Sequence, residues 1–192
     1  DELLDTRFWK FNFYPKWITV KQHDFISSNN LKYNFFTYDI ECYLNKINGK
    51  SKFVPYQFGL YHPELGYKSF YGHDCLNQAL SFILNYNYTS KSRDFYAHNA
   101  GKFDIIIVLE KLIGNPLITN IKKLQDKSGS IFYLEFKYND ITFKFKDSYR
   151  LIPSALDKLI KSFNVEVDSF TSKLPFNHDW MAEDKLNYIG PV

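Results

Sequence analysis

Asp39 and Glu41 are the first residues here whose types and spacing could do chemistry. They interrupt Phe35-Phe36-Thr37-Tyr38-Asp39-Ile40-Glu41-Cys42-Tyr43, an aromatic and β-branched run that suits a buried strand. Residues i and i+2 of a strand leave the same face, roughly 6.6 Å apart at the backbone, so both carboxylates project from one side of a sheet. Two like charges held about 4 Å apart repel by roughly 4 kcal/mol at an effective dielectric of 20, which is large beside the stability of a whole domain. Protonation of one carboxyl, a nearby Lys or a divalent cation would offset that, and hard oxygen ligands suit Mg²⁺ or Mn²⁺. A strand end where both acids face water would also do so. The pattern alone decides little, because 21 acids in 192 residues give about two acid-x-acid pairs by chance and two occur. The other, Glu166-Val167-Asp168, follows a helix end in a polar stretch and reads as solvated surface.

The second chemical segment is Tyr96-Ala97-His98-Asn99-Ala100-Gly101-Lys102-Phe103-Asp104, which leads from a short strand through a turn of small residues into a helix. Polar groups at the end of a strand lie where the sites of α/β sheets gather. Taken singly, His98 fits a satisfied core histidine, Asn99 a turn residue, and Asp104 a first-turn acid favoured by the helix dipole.

The elements that must position these groups can be read from periodicity. The strand from Phe35 is followed by Val54 to Tyr61 and Tyr67 to Tyr71, with the turn His62-Pro63-Glu64-Leu65-Gly66 between them, an antiparallel meander. Asp74 stands at a helix N-cap, and Leu76, Leu80, Ile83 and Leu84 recur at helical spacing. A short strand over Asp94 to His98 precedes a helix over Phe103 to Ile113, which Gly114 ends. Ile131 to Tyr138 and Ile141 to Phe145 flank Asn139-Asp140, a two-residue hairpin turn. Pro153 opens the last helix, with Leu156, Leu159, Ile160 and Phe163 on one side. Residues 1–33 read as an N-terminal extension with one short strand near Trp17 to Val20. This order predicts an α/β domain, a mixed sheet with helices packed on it.

Composition sets the outer bounds. The chain of 192 residues is 45% hydrophobic and 23% charged, with mean hydropathy −0.36, which suits one well-buried domain and no membrane span. A net charge of +3 is too mild to announce nucleic acid by itself. Two cysteines, Cys42 and Cys75, match neither a disulfide scaffold nor a zinc pattern, and with no signal peptide the reading is a protein that is not secreted. The excess of Lys over Arg, with many Phe, Tyr, Asn and Ile, reflects A/T-rich codons and suggests an organelle, virus or plasmid, hence a mitochondrial or plasmid-associated location. The start at Asp1 and stop at Val192 suggest an excerpt of a longer polypeptide.

Taken together, Tyr38-Asp39-Ile40-Glu41 and, some sixty residues on, His98-Asn99-Ala100-Gly101-Lys102-Phe103-Asp104 resemble the first two exonuclease motifs of the family B DNA polymerases. Asp147-Ser148-Tyr149-Arg150-Leu151-Ile152-Pro153 is similar to the segment of that family that binds single-stranded DNA, and Lys173-Leu174-Pro175-Phe176 to a Lys element of its protein-primed members. The resemblance covers about Phe35 to Phe176. It implies a ribonuclease H-like fold with flanking helices over residues 34–192, and 3′ to 5′ proofreading hydrolysis of single-stranded DNA ends. By the same resemblance Asp39, Glu41 and Asp104 would hold two divalent ions, Mg²⁺ or Mn²⁺, and Lys173 would face the scissile phosphate. Tyr96, His98, Asn99 and Phe103 would grip the terminal nucleotides, while Ser148 and Tyr149 would hold the strand. A terminal protein and a polymerase domain are the implied partners in the parent protein.

Two departures stand out. Cys42 occupies the place of the Thr or similar hydroxyl that touches DNA in protein-primed members. The third motif, Tyr-x-x-x-Asp, does not occur in the sequence, which we read as truncation before it. The expectation for the isolated piece is therefore weak metal binding and crippled hydrolysis, unless another acid such as Asp147 completes the site. The competing reading is a single-strand-binding module on a catalytically dead nuclease fold.

Overall fold

A computed structural model of the chain describes residues 6–9, 18–21, 35–47, 50–88, 90–163 and 180–187. The backbone divides into two units, Asp1–Tyr33 and Asn34–Val192. In the first, β1 (Thr6–Trp9) and β2 (Ile18–Lys21) pair antiparallel, Thr6 opposite Lys21. The expected strand near Trp17 to Val20 corresponds to β2, whereas β1 was not anticipated.

The second unit is built on a seven-stranded mixed sheet in the order β5-β4-β3-β6-β9-β8-β7. Its strands are β3 (Phe35–Ile47), β4 (Lys50–His62), β5 (Gly66–Tyr71), β6 (Ser92–Ala97), β7 (Thr119–Gln125), β8 (Ile131–Tyr138) and β9 (Ile141–Asp147). The predicted meander is β3-β4-β5, antiparallel throughout. At the centre β3, β6 and β9 run parallel, each joined to the next by a crossover. Helices α1 (Cys75–Asn85), α2 (Asp104–Leu112) and α3 (Leu156–Ser162) follow β5, β6 and β9 in the chain. No helix among the described residues is long and apolar enough to cross a membrane.

Strand alternation decides which face is core. Phe36, Tyr38 and Ile40 of β3, Phe58 and Leu60 of β4, Phe95 of β6, Leu134 and Phe136 of β8, and Phe143 and Phe145 of β9 are buried in one cluster. Ala79, Leu80 and Ile83 of α1 and Ile105, Val108 and Leu112 of α2 close over it. Parallel stacking runs across the sheet: Phe36 on Phe95 at 4.9 Å, Phe95 on Phe145 at 4.7 Å, and Phe136 on Phe143 at 5.2 Å between ring centroids. In-register pairs Phe36–Phe95 and Phe95–Phe145 place each ring directly beside the next. The opposite parity, Thr37, Asp39, Tyr96 and Lys146, therefore lies on the other face.

Three elements depart from expectation. Strand β7, with sequence Thr-Asn-Ile-Lys-Lys-Leu-Gln, is exposed along its whole length and carries no alternation, because it is a sheet edge with no apolar face to bury. Helix α3 starts at Leu156 rather than at Pro153, because the Ser154 carbonyl accepts a hydrogen bond from the His98 ring (2.8 Å), and Ala155 is still extended. The apolar side expected of it is not buried among the described residues: Leu156 is 53% and Phe163 64% exposed. Asp74 holds the N-cap position of α1 but accepts from the Asn77 amide side chain rather than capping the helix backbone.

Candidate active site

The site begins where β6 leaves the sheet. β6 pairs with β3 only over Phe35–Thr37 opposite Asp94–Tyr96. The chain then turns away through His98 and Asn99, whose φ of 61° is the left-handed conformation that Asn tolerates better than most residues. Past Tyr38, β3 therefore has no strand neighbour on that side, and the Ile40 N–H pointing there needs an acceptor. Asp104 supplies it: at the start of α2, its Oδ1 accepts from Ile40 N at 3.0 Å. The third acid of the sequence pattern is thus hydrogen-bonded to the residue that separates the other two.

The electrostatics follow from that placement. Asp104 is 6% exposed, Glu41 half-buried and Asp39 exposed. Burial, then the negative charge of Asp39, and less strongly Glu41, push the Asp104 carboxyl up to about 7. Directly beneath, the Tyr38 phenol is driven well above its ordinary range by burial, followed by Asp104, Asp147 and Asp39. Its hydroxyl is buried and has no hydrogen-bond partner among the described residues. The Cys42 thiol is likewise held up by burial and by Asp104, and its side chain packs against the main core just after an irregularity in the β3–β4 register. This corner of the molecule accumulates negative charge.

The donor set, hard carboxylate oxygens beside a carboxyl whose proton is held by burial and by the Asp39 charge, fits a divalent cation. No group of three or more His, Cys, Asp or Glu side chains among the described residues is, however, arranged to hold a metal ion. Asp39 and Asp104 are the pair most strongly coupled, with Glu41 farther in effect.

The other expected residues form three groups. His98, Ser148 and Tyr149 come together: His98 Nε2 donates to the Ser154 carbonyl, Nδ1 lies 3.1 Å from Ser148 Oγ, and the ring meets Tyr149 edge-on at 5.5 Å. Both His98 nitrogens are therefore engaged within the protein. Tyr96 lies on the Asp39 face, its hydroxyl accepting from Lys146 Nζ at 3.3 Å and its ring edge-on to Phe35; Lys146 also pairs with Asp94 at 3.1 Å. Phe103, at the start of α2, instead packs edge-on against Phe53 at 4.8 Å. Asn99 and Tyr149 line a polar cavity of about 450 Å³ with Lys102, Ser130, Asp147 and Arg150. Lys173, and with it the Lys173-Leu174-Pro175-Phe176 element and the Glu166-Val167-Asp168 pair, lie outside the described residues.

Sequence reasoning named Asp147 only within the strand-binding segment and as an acid that could complete the metal site, and did not single out Asp126; both fix these turns. Asp147 is 5% exposed and accepts from Gly101 N at 3.0 Å and Tyr149 N at 2.9 Å. Asp126, in the β7–β8 turn, accepts from Ser128 and Ser130 backbone N–H groups and pairs with Arg150, whose guanidinium packs on the Phe132 ring. An Asp one residue before Ser-Tyr-Arg, able to bond two positions ahead, was the signal available for the first. The same signal was available for Asp126 toward Ser128, but none for its pairing with Arg150, 24 residues away.

Comparison with known proteins fits this geometry. The family described as DNA polymerase type B, organellar and viral, matches residues 84–191, more than half the chain. A probable DNA polymerase of Agaricus bitorquis is 34% identical over 106 residues, 54% of this chain and 12% of that protein. The DNA-directed DNA polymerase of Enterobacteria phage PRD1 is 29% identical over 130 residues, 68% of this chain and 20% of that protein. The chain thus spans an eighth to a fifth of the length of these relatives. Among solved structures, Phi29 DNA polymerase in ternary complex with primer-template DNA and incoming nucleotides superimposes with a TM-score of 0.58 at 16% identity, over 81% of this chain and 27% of that one. Its complex with single-stranded DNA gives 0.54 at 17% identity, over 77% and 26%. Because that family model covers more than half of its residues, the chain belongs to the organellar and viral type B DNA polymerases.

Proposed function

We propose that residues 34–192 form the 3′ to 5′ proofreading exonuclease region of a protein-primed type B DNA polymerase, acting on single-stranded DNA 3′ ends. The observation that carries this is the seating of Asp104 on the amide of Ile40, the residue between Asp39 and Glu41, with its proton held first by burial and then by the charge of Asp39. In this reading Asp39, Glu41 and Asp104 hold two divalent ions, Mg²⁺ or Mn²⁺. The chemistry those ions supply when bound is activation of the attacking water and stabilisation of the departing 3′ oxygen. Asp104 loses its proton to become a full ligand, and its hydrogen bond to Ile40 holds the carboxylate against the strand edge. Tyr149 offers a ring for stacking at roughly 1 to 3 kcal/mol per base, a hold indifferent to sequence, while Tyr96, with the Lys146 ammonium 5.2 Å over its ring, grips the terminal nucleotides. Ser148 and Asn99 contact the strand, and Lys173 faces the scissile phosphate. Polymerisation belongs to the longer parent protein, together with a terminal protein as priming partner and an organellar or plasmid-borne genome.

The absence of a three-ligand cluster among the described residues favours one competitor, a single-strand-binding module with dead chemistry. A version extended through the next hundred native residues separates the two. It should shorten 3′-unpaired DNA in Mg²⁺, and Asp39→Ala should abolish this while strand binding persists. Hydrolysis indifferent to Asp39→Ala would remove the site assignment; strand binding without any release of mononucleotides would leave the binding module.

A further inference from the structure

Two turns meet at the Asp147 carboxylate. One carries Asn99 and Gly101 after β6; the other carries Ser148 and Tyr149 after β9. We infer that Asp147 is a positioning residue that sets the spacing of these turns and so the width of the single-strand path between them; this rests on the function proposed above. Asp147 ends β9 in register with Ala97, the last residue of β6, so its carboxylate sits where both strands run out. Oδ2 takes the Gly101 amide at 3.0 Å and Oδ1 takes the Tyr149 amide at 2.9 Å, so one buried carboxylate joins an amide 46 residues before it to one two residues after it. A bridge this short demands a glycine opposite. A Cβ on Gly101 would lie 3.0 Å from Asp147 Oδ2, 2.6 Å from Ser130 Oγ and 2.9 Å from the Ile131 carbonyl oxygen.

The bridge also passes through the ligand-facing groups. Ser148, between Asp147 and Tyr149, meets His98 Nδ1, and Tyr149 packs on the His98 ring. Fixing the two amides therefore fixes three side chains at once. Asp147, Asn99 and Tyr149 line the same polar cavity as Asp126 and Arg150, which pair with each other, and Lys102, which among the described residues pairs with no carboxylate and is the charge offered to a phosphate of the strand. Each oxygen of Asp147 accepts a backbone amide proton, which assigns the carboxylate to this bridge, and metal affinity is the readout that separates this role from ligation.

The test uses the 192-residue chain, a fluorescein-labelled fifteen-nucleotide single strand, and Mn²⁺. Asp147→Asn replaces one acceptor by an NH₂ group that opposes an amide donor. It should weaken oligonucleotide binding at least tenfold by anisotropy, while Mn²⁺ affinity by calorimetry stays within twofold. Asp104→Asn should do the reverse. Equal oligonucleotide binding by wild type and Asp147→Asn overturns the inference, and so does loss of Mn²⁺ affinity in Asp147→Asn, which would make it a metal ligand. A wild-type chain that binds no oligonucleotide overturns the proposed function itself. Should Asp147→Asn fail to fold, amide exchange in the wild type decides: the oligonucleotide should slow exchange at Gly101 and Tyr149 together, and unchanged exchange at both overturns the inference.

Discussion

Asp104 is the residue on which the chemistry turns, because burial and like charge raise its carboxyl from 3.8 to about 7. Over that window the folded protein binds a proton that the unfolded chain releases, so the stability this group contributes is present at low pH and is lost as pH rises through 7. The ceiling is on the order of 4 kcal/mol at 1.36 kcal/mol per unit. Without divalent ions, thermal midpoints should therefore fall between pH 5 and pH 8, and Asp104→Asn, which keeps an acceptor for Ile40, should flatten the fall. A steep decline that survives in Asp104→Asn would place the responsible proton elsewhere. Mn²⁺ binding near pH 7 should also release a proton, seen as a calorimetric heat that changes with the ionisation enthalpy of the buffer.

Among the elements, the β8–β9 hairpin shows local sequence at work. Asn139 and Asp140 take φ of 47° and 63°, the paired left-handed conformation of a type I′ turn, so the two-residue signal is realised even with Asp in place of glycine. A non-glycine residue in that conformation costs roughly 1 kcal/mol. Asp140→Gly should recover about half to all of it, raising the thermal midpoint by about 2 °C; a lower midpoint would mean that the Asp140 side chain stabilises the turn. Helix α3 is the counterexample. Its apolar spacing was legible, but the start was set by His98 reaching the Ser154 carbonyl 56 residues away.

For the whole molecule, stability rests on the sheet of stacked rings rather than on surface ion pairs. Lys122–Glu135, with Lys122 mostly exposed, contributes little, as exposed pairs generally do. Phe95 is fully buried and stacks on both Phe36 and Phe145 at the junction of the three parallel strands. Phe95→Ala should destabilise by about 3–5 kcal/mol in urea unfolding. A loss below 1 kcal/mol would show that the centre of the sheet collapses around the cavity.

The strands from Phe35 to Tyr71, the helix that opens at Asp104 and the hairpin at Asn139 could be read from the sequence because each is written in local terms: alternation, helical spacing, turn residues. The likeness of Asp39, Glu41 and Asp104 to a known motif pattern was equally local. Their meeting was not. It depends on β6 ending one residue after its three-residue pairing with β3, which leaves the Ile40 amide for Asp104, and on β9 delivering Asp147 between two turns. The edge strand β7, with no face to bury, and the Asp126–Arg150 pair, with no local signature, were settled by the same long-range geometry. Hydrophobic period reports which face a residue takes; which groups share that face is decided only when the parallel crossovers bring distant strands into register.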